Sequence, residues 1–387
     1  MKYYVLVVVL TAATTLALAC IVWRVGLRYK IYPGIRERDV HTTPTPRLGG
    51  VGMFLGVVAA FALSSQVPYF AIFWDDPARN WAILGATLLI VVVGVADDLW
   101  DLDWMVKLGA QFLAAGIVVG VGGIQIYQLP IGGQTVVSSW MSFALSVLAI
   151  VIVMNAVNFI DGLNGLVAGV ALIANGVFFA YSYLLVRDTG ASSYSNLASF
   201  IAVVLIGVCV GFLPLNWYPA KLFMGDAGAY MLGLLMAASA IAVTGQLEPR
   251  MLGDNDVFGR SQLLGAFIPI LLPIVIVLLP LLDFGMAVAR RTLKGKSPFS
   301  ADRKHLHHRM LDMGHSDRDA VLIFYAWTSI VSLSVLLMYI GTTADWPGLY
   351  WPGVGYLLVG GAACVVVTTP PARPAPGIAA RPDPEPS

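Results

Sequence analysis

Apolar residues in this chain fall in long unbroken runs, not in the short alternating or amphipathic patterns of soluble domains. A helix needs about 20 mostly apolar residues to cross the hydrocarbon core of a bilayer. That rule marks eleven spans: Tyr3 to Val22, Gly49 to Val67, Trp81 to Val95, Leu108 to Val121, Trp140 to Met154, Leu166 to Val186, Leu197 to Leu213, Ala229 to Val243, Leu263 to Val288, Ala320 to Ile340 and Gly348 to Thr368. The third, fourth, fifth and eighth are short. The ninth contains Pro269, Pro273 and Pro280, which predicts a kink or a break because proline interrupts the backbone ladder. Between the fourth and fifth spans, Ile124 to Val137 alternates around Pro130 and Gly132-Gly133 and reads as a small hairpin. No small-residue cleavage site follows the first run, so it is expected to be a retained helix. The predicted architecture is an all-α polytopic membrane domain over residues 1–368, with a disordered Pro-rich tail over 369–387.

Composition agrees with the pattern. Of 387 residues, 58% are hydrophobic and only 12% charged, against about 25% charged in an average soluble domain. Soluble enzyme, nucleic-acid binder and disordered protein are excluded as readings of the whole chain. A net charge of +1 points to no particular partner. Cys20, Cys209 and Cys364 lie far apart inside apolar runs, which argues against both a disulfide framework and a zinc site.

The placement of the charges changes the picture. With eleven spans the loops alternate sides, and only Lys2, Arg79, Arg187, Arg250 and Arg260 of the 23 Lys and Arg residues fall on one side. The positive-inside rule then predicts an outside N-terminus and a cytoplasmic C-terminus.

The cytoplasmic loops carry more than positive charge. After the third span come Asp97, Asp98, Asp101 and Asp103, then Lys107. Four carboxylates at a helix C-terminus repel its dipole and one another, so a cation or a proton must relieve them. The bland reading is an acidic loop that stops the helix. After the fifth span, Asn155-Ala156-Val157-Asn158-Phe159-Ile160-Asp161-Gly162-Leu163-Asn164-Gly165-Leu166 places amide and carboxylate oxygens suited to Mg²⁺ between two apolar helices. Helix capping would explain one such residue, not four. Before the eighth span stands Phe223-Met224-Gly225-Asp226-Ala227-Gly228, in which Asp226 alone reads as an ordinary N-cap. The longest cytoplasmic loop includes Arg303-Lys304-His305-Leu306-His307-His308-Arg309, better suited to clamping phosphate oxygens than to completing a tetrahedral metal site. Carboxylates for Mg²⁺ and a basic cluster on one face suggest phosphoryl chemistry on a diphosphate, with a lipid partner.

With His41-Thr42-Thr43-Pro44-Thr45-Pro46-Arg47-Leu48-Gly49-Gly50 and Gln111 added, these motifs occur in the family order of the polyprenyl-phosphate N-acetylhexosamine-1-phosphate transferases, which the chain resembles. The resemblance implies a cytoplasmic active site in the cell membrane. It also implies Mg²⁺ dependence, with Mn²⁺ as an alternative. The reaction would transfer a sugar 1-phosphate from a UDP-N-acetylhexosamine to a polyprenyl phosphate lipid, with release of UMP. It is compatible with a homodimer. By the same resemblance Asp97 or Asp98 is the base, Asp161 joins them as a catalytic carboxylate, and Asp226 and Asn158 contact the metal. Lys107, His305, His307, His308 and Arg309 would hold phosphate oxygens, Asn164 would bind substrate, and Phe223 would pack near the uracil. His-x-His-His-Arg and Asp101 resemble the GlcNAc-type branch rather than the muramoyl-pentapeptide branch. Asn164 departs from the Asp usual in bacterial members, and Ala229 from the usual Ser. A secondary transporter is the alternative from another class; it would carry its ionisable groups near the midplane in repeated halves.

Overall fold

The computed structural model describes residues 1–32, 45–130, 134–136, 138–189, 193–244, 315–342 and 346–368, with isolated positions 285, 292, 293 and 310. The described residues form α1 (Lys2–Arg28), α2 (Gly49–Ser64), α3 (Pro77–Trp100), α4 (Trp104–Gly120), α5 (Ser139–Ile160), α6 (Leu166–Thr189), α7 (Ser193–Asn216), α8 (Gly225–Thr244), α9 (Asp317–Thr342) and α10 (Tyr350–Thr368). A two-stranded hairpin, β1 (Gln128–Pro130) against β2 (Gln134–Val136), is antiparallel with Leu129 opposite Thr135, inside the predicted segment.

This is a multi-pass all-α membrane protein. Among the described residues, eight helices are long and apolar enough to cross a bilayer. The α2 span bends by 106° into a 3₁₀ segment, Pro68–Trp74, instead of running straight to Val67. Each expected span coincides with a described helix except the ninth, Leu263 to Val288, which lies outside the described residues apart from Gly285. So does the tail after Thr368.

One expectation needs correction. The third helix does not stop at Val95: it continues to Trp100, so Asp97 and Asp98 sit in its last turn, not in a loop. Asp101 ends the helix in the left-handed region (φ 54), a conformation that Asp tolerates better than most side chains. Asp103 then caps α4, accepting from the Met105 amide at 2.8 Å. The run of acids therefore does several jobs.

The helix α8 lies at the centre and packs on α2, α3, α5 and α7, whereas α10 is largely exposed among the described residues. Small residues let the backbones approach. A β-carbon at Gly94 of α3 would overlap the Ala227 backbone of α8. Overpacking a tight contact costs about 1–3 kcal/mol or more. Gly94→Ala is expected to lower the unfolding temperature in detergent and to reduce activity, since Asp98 sits one turn further along α3. An unchanged melting profile would count against the crossing.

Candidate active site

Segments far apart in sequence meet at one end of the bundle. Phe223 N–H donates to the Pro46 carbonyl, while Gly49 N–H and Gly50 N–H donate to the Phe223 and Met224 carbonyls, each at 2.9 Å. These bonds lace the chain entering α2 to the chain entering α8. Gly225, at φ +67, then turns into α8 with no room for a β-carbon beside the Asp98 carboxylate. Both reasons demand glycine.

The two carboxylates in the last turn of α3 have different surroundings. Asp97 is engaged through both oxygens: Oδ1 accepts from the Leu102 amide at 2.8 Å and Oδ2 from Lys107 Nζ at 3.0 Å. Asp98 Oδ1 accepts from the Asp226 amide at 3.4 Å, while its Oδ2 is buried with no hydrogen-bond partner. The repulsion expected at the end of α3 is thus eased from two directions. Lys107 neutralises Asp97, and Asp98 lies against the positive N-terminal end of α8.

Asp226 is not an N-cap. It is the second residue of α8, and its Oδ1 accepts from Asn158 Nδ2 at 3.0 Å, so its carboxylate is turned across the bundle towards α5. Asn158 lies inside α5, two residues before its end. One turn earlier, Asn155 donates to Gln111 at 2.5 Å, joining α5 to α4. Asp161 ends α5. Though half-buried, it is held far enough from water that its carboxyl is pushed up to about 7. Lost hydration is the main cause, the negative charge of Asp226 adds to it, and Arg47 opposes it. Asn164 is buried, at 6% exposure, and its Oδ1 has no partner.

Asp97, Asp98, Lys107, Asn158 and Asp226 therefore form one patch, with Asp161, Asn164 and Phe223 on the segments beside it. His305, His307, His308 and Arg309 lie outside the described residues. The neighbouring Met310 is fully buried in an apolar cluster with Leu163, Leu166 and Phe324.

Residues 80–244 match the model of glycosyl transferase family 4. The chain is 40% identical over 338 residues to the decaprenyl-phosphate N-acetylglucosaminephosphotransferase of Mycobacterium tuberculosis (strain H37Rv), covering 87% of this chain and 81% of that one. It is 31% identical over 332 residues to a probable undecaprenyl-phosphate N-acetylglucosaminyl 1-phosphate transferase of Bacillus subtilis (85% and 83% covered). With the corresponding Escherichia coli K12 transferase it shares 29% over 335 residues (84% and 80%). The chain belongs to glycosyl transferase family 4.

The resemblance implies a metal for this family 4 member. Among the described residues, no group of three His, Cys, Asp or Glu side chains could hold an ion by itself. Mg²⁺ does not require one: it commonly takes one or two carboxylates plus substrate phosphates and waters. The Asp226 carboxylate meets the Asn158 side chain at 3.0 Å, and the Asp226 amide bonds Asp98, whose second oxygen is buried without a partner against Gly225. These hard oxygens fit Mg²⁺.

Some site residues carried no recognisable signal in the sequence. Arg47, in the segment that enters α2, has no role by residue type alone, yet it lies close enough to Asp161 to oppose its protonation. Asn216 joins two parts of the site: its Oδ1 accepts from the Gly165 amide and its Nδ2 donates to the Leu222 carbonyl, each at 3.1 Å. It ends an apolar helix and looks there like any helix-terminal amide.

Proposed function

We propose that this family 4 enzyme transfers N-acetylglucosamine 1-phosphate from UDP-GlcNAc to a polyprenyl phosphate, releasing UMP, as a membrane step in cell-envelope polysaccharide synthesis. The observation that carries this reading is the meeting of Asp98, Asn158 and Asp226 from three helices in a single hydrogen-bonded patch. The names of the relatives, similar over most of the chain, supply the substrate class.

In the proposed reaction an oxygen of the lipid phosphate attacks the sugar-bound phosphorus of the donor. The bond from that phosphorus to the bridging oxygen breaks, and UMP leaves with the bonding electrons. Asp98, whose second oxygen is unpartnered, is placed to take a proton from the lipid phosphate. Asp97 holds Lys107 ready for a phosphate oxygen. Asp226 and Asn158 would hold Mg²⁺, which would supply charge neutralisation on the diphosphate. By the resemblance alone, His305, His307, His308 and Arg309 would hold the phosphate oxygens.

The direct test is the nucleotide product and kcat/KM of the purified protein with Mg²⁺, polyprenyl phosphate and either UDP-GlcNAc or the UDP-muramoyl-pentapeptide. UMP release with UDP-GlcNAc and little with the pentapeptide donor is expected, since specificity is a difference in transition-state binding. Preference for the pentapeptide would move the enzyme to the other branch. No turnover with either would return the transporter to consideration.

The active site is proposed to face the cytoplasm, where UDP-sugars are made. Single cysteines at Arg28 and Ser138, both exposed, should separate in a background with the native cysteines replaced. An impermeant thiol reagent should label the Ser138 position in intact cells and the Arg28 position only after permeabilisation. The reverse pattern would overturn the orientation.

A further inference from the structure

The turn 161–165 carries Asp161 and Asn164, and it is anchored at its last residue. Gly165 has φ +78, a backbone conformation that a side chain would strain. Its N–H is held by Asn216 Oδ1 of α7 at 3.1 Å. Its carbonyl accepts from the Tyr325 hydroxyl of α9 at 2.5 Å. Tyr325 is 160 residues further along the chain, beyond residues 80–244 and outside every motif of the site. Its ring lies against Gly169, where a β-carbon would overlap it, and 6.2 Å from the Trp217 ring. The turn is thus clamped between α7 and α9 at both polar atoms of one peptide residue.

We propose that Tyr325 is a positioning residue for the donor: by fixing the Gly165 carbonyl it keeps Asp161 and Asn164 in the geometry that receives the UDP-sugar. The Asn164 oxygen is buried without a partner, so nothing local compensates if the turn relaxes. Placement on the donor side rests on the function proposed above, together with the substrate-binding role that the family resemblance implies for Asn164.

Tyr325→Phe removes the hydroxyl alone and leaves the ring against Gly169 and Trp217. Loss of one hydrogen bond of ordinary net worth should raise the KM for UDP-GlcNAc about 2- to 10-fold. The KM for polyprenyl phosphate should stay at its wild-type value, and the unfolding temperature should fall by no more than about 2 °C, the effect of one such bond in a large domain. Amide hydrogen exchange of the 161–166 segment, followed by mass spectrometry without substrate, should quicken. A wild-type donor KM overturns the proposal. So does an equal rise in both KM values with a larger fall in unfolding temperature, which marks a merely structural role. If the wild-type protein releases no UMP from UDP-GlcNAc, the donor reading fails by itself. The exchange measurement then decides alone: unchanged exchange at 161–166 overturns the clamp, and faster exchange supports it.

Discussion

Asp98→Asn is expected to cut UMP release at least ~100-fold, the scale of a lost acid–base group, in a protein that remains folded. The substitution keeps the shape of the side chain and an oxygen that can accept from the Asp226 amide. It removes the ability to take a proton at an oxygen that is buried without a partner. Asp97→Asn provides the comparison, because that carboxylate is already paired with Lys107 at 3.0 Å. Loosening Lys107 should raise the KM for the polyprenyl phosphate more than it lowers kcat. Steady-state kinetics on both variants, with size-exclusion profiles to confirm folding, make the check. Near-normal turnover of the Asp98 variant would reduce that residue to a helix-end acid.

Asp226→Ala should be at least as damaging, with Mg²⁺-dependent turnover down by ~1000-fold or more, since it removes metal-borne stabilisation at the transferring phosphoryl group. Asn158→Ala should be milder. It takes away one donor to Asp226, at 3.0 Å, and should appear as a higher Mg²⁺ requirement with turnover recovered at saturation. A Mg²⁺ titration of UMP release separates the two. An Asp226→Ala enzyme that works at the wild-type Mg²⁺ requirement would leave Asp226 as a first-turn acid favoured only by the helix dipole.

The candidate site was legible in its chemistry and illegible in its pairings. Asp97, Asp98, Lys107 and Asn158 stand out by residue type and position at span ends, Asp226 only through the family resemblance, and the structure brings all five together. Which of the two aspartates has a free oxygen was not readable, because it depends on where α3 stops. Hydropathy falls at Asp97, yet the helix runs on to Trp100. The charge pattern gave no sign that Asp103 would be spent on capping α4. Asp226 read as an N-cap because a lone Asp before an apolar run usually is one. In the structure its carboxylate instead accepts from Asn158 of α5.

The sequence by itself determined the membrane class, the approximate place of each span among the described residues and the gathering of ionisable groups at span ends. Each follows from local rules: hydrocarbon thickness sets helix length, and the cost of burying charge keeps Asp, Lys and Arg at the ends. Tertiary structure alone decided which ends meet. Gly94 against Ala227 brings α3 to α8, and the Gly49 and Gly50 amides bond to Phe223 and Met224 across more than 170 residues. It also recruited Asn216 and Tyr325 to hold Gly165. In an apolar helix, a tyrosine gains its function from the backbone atom that packing sets before it, and hydropathy along the chain carries no record of that neighbour.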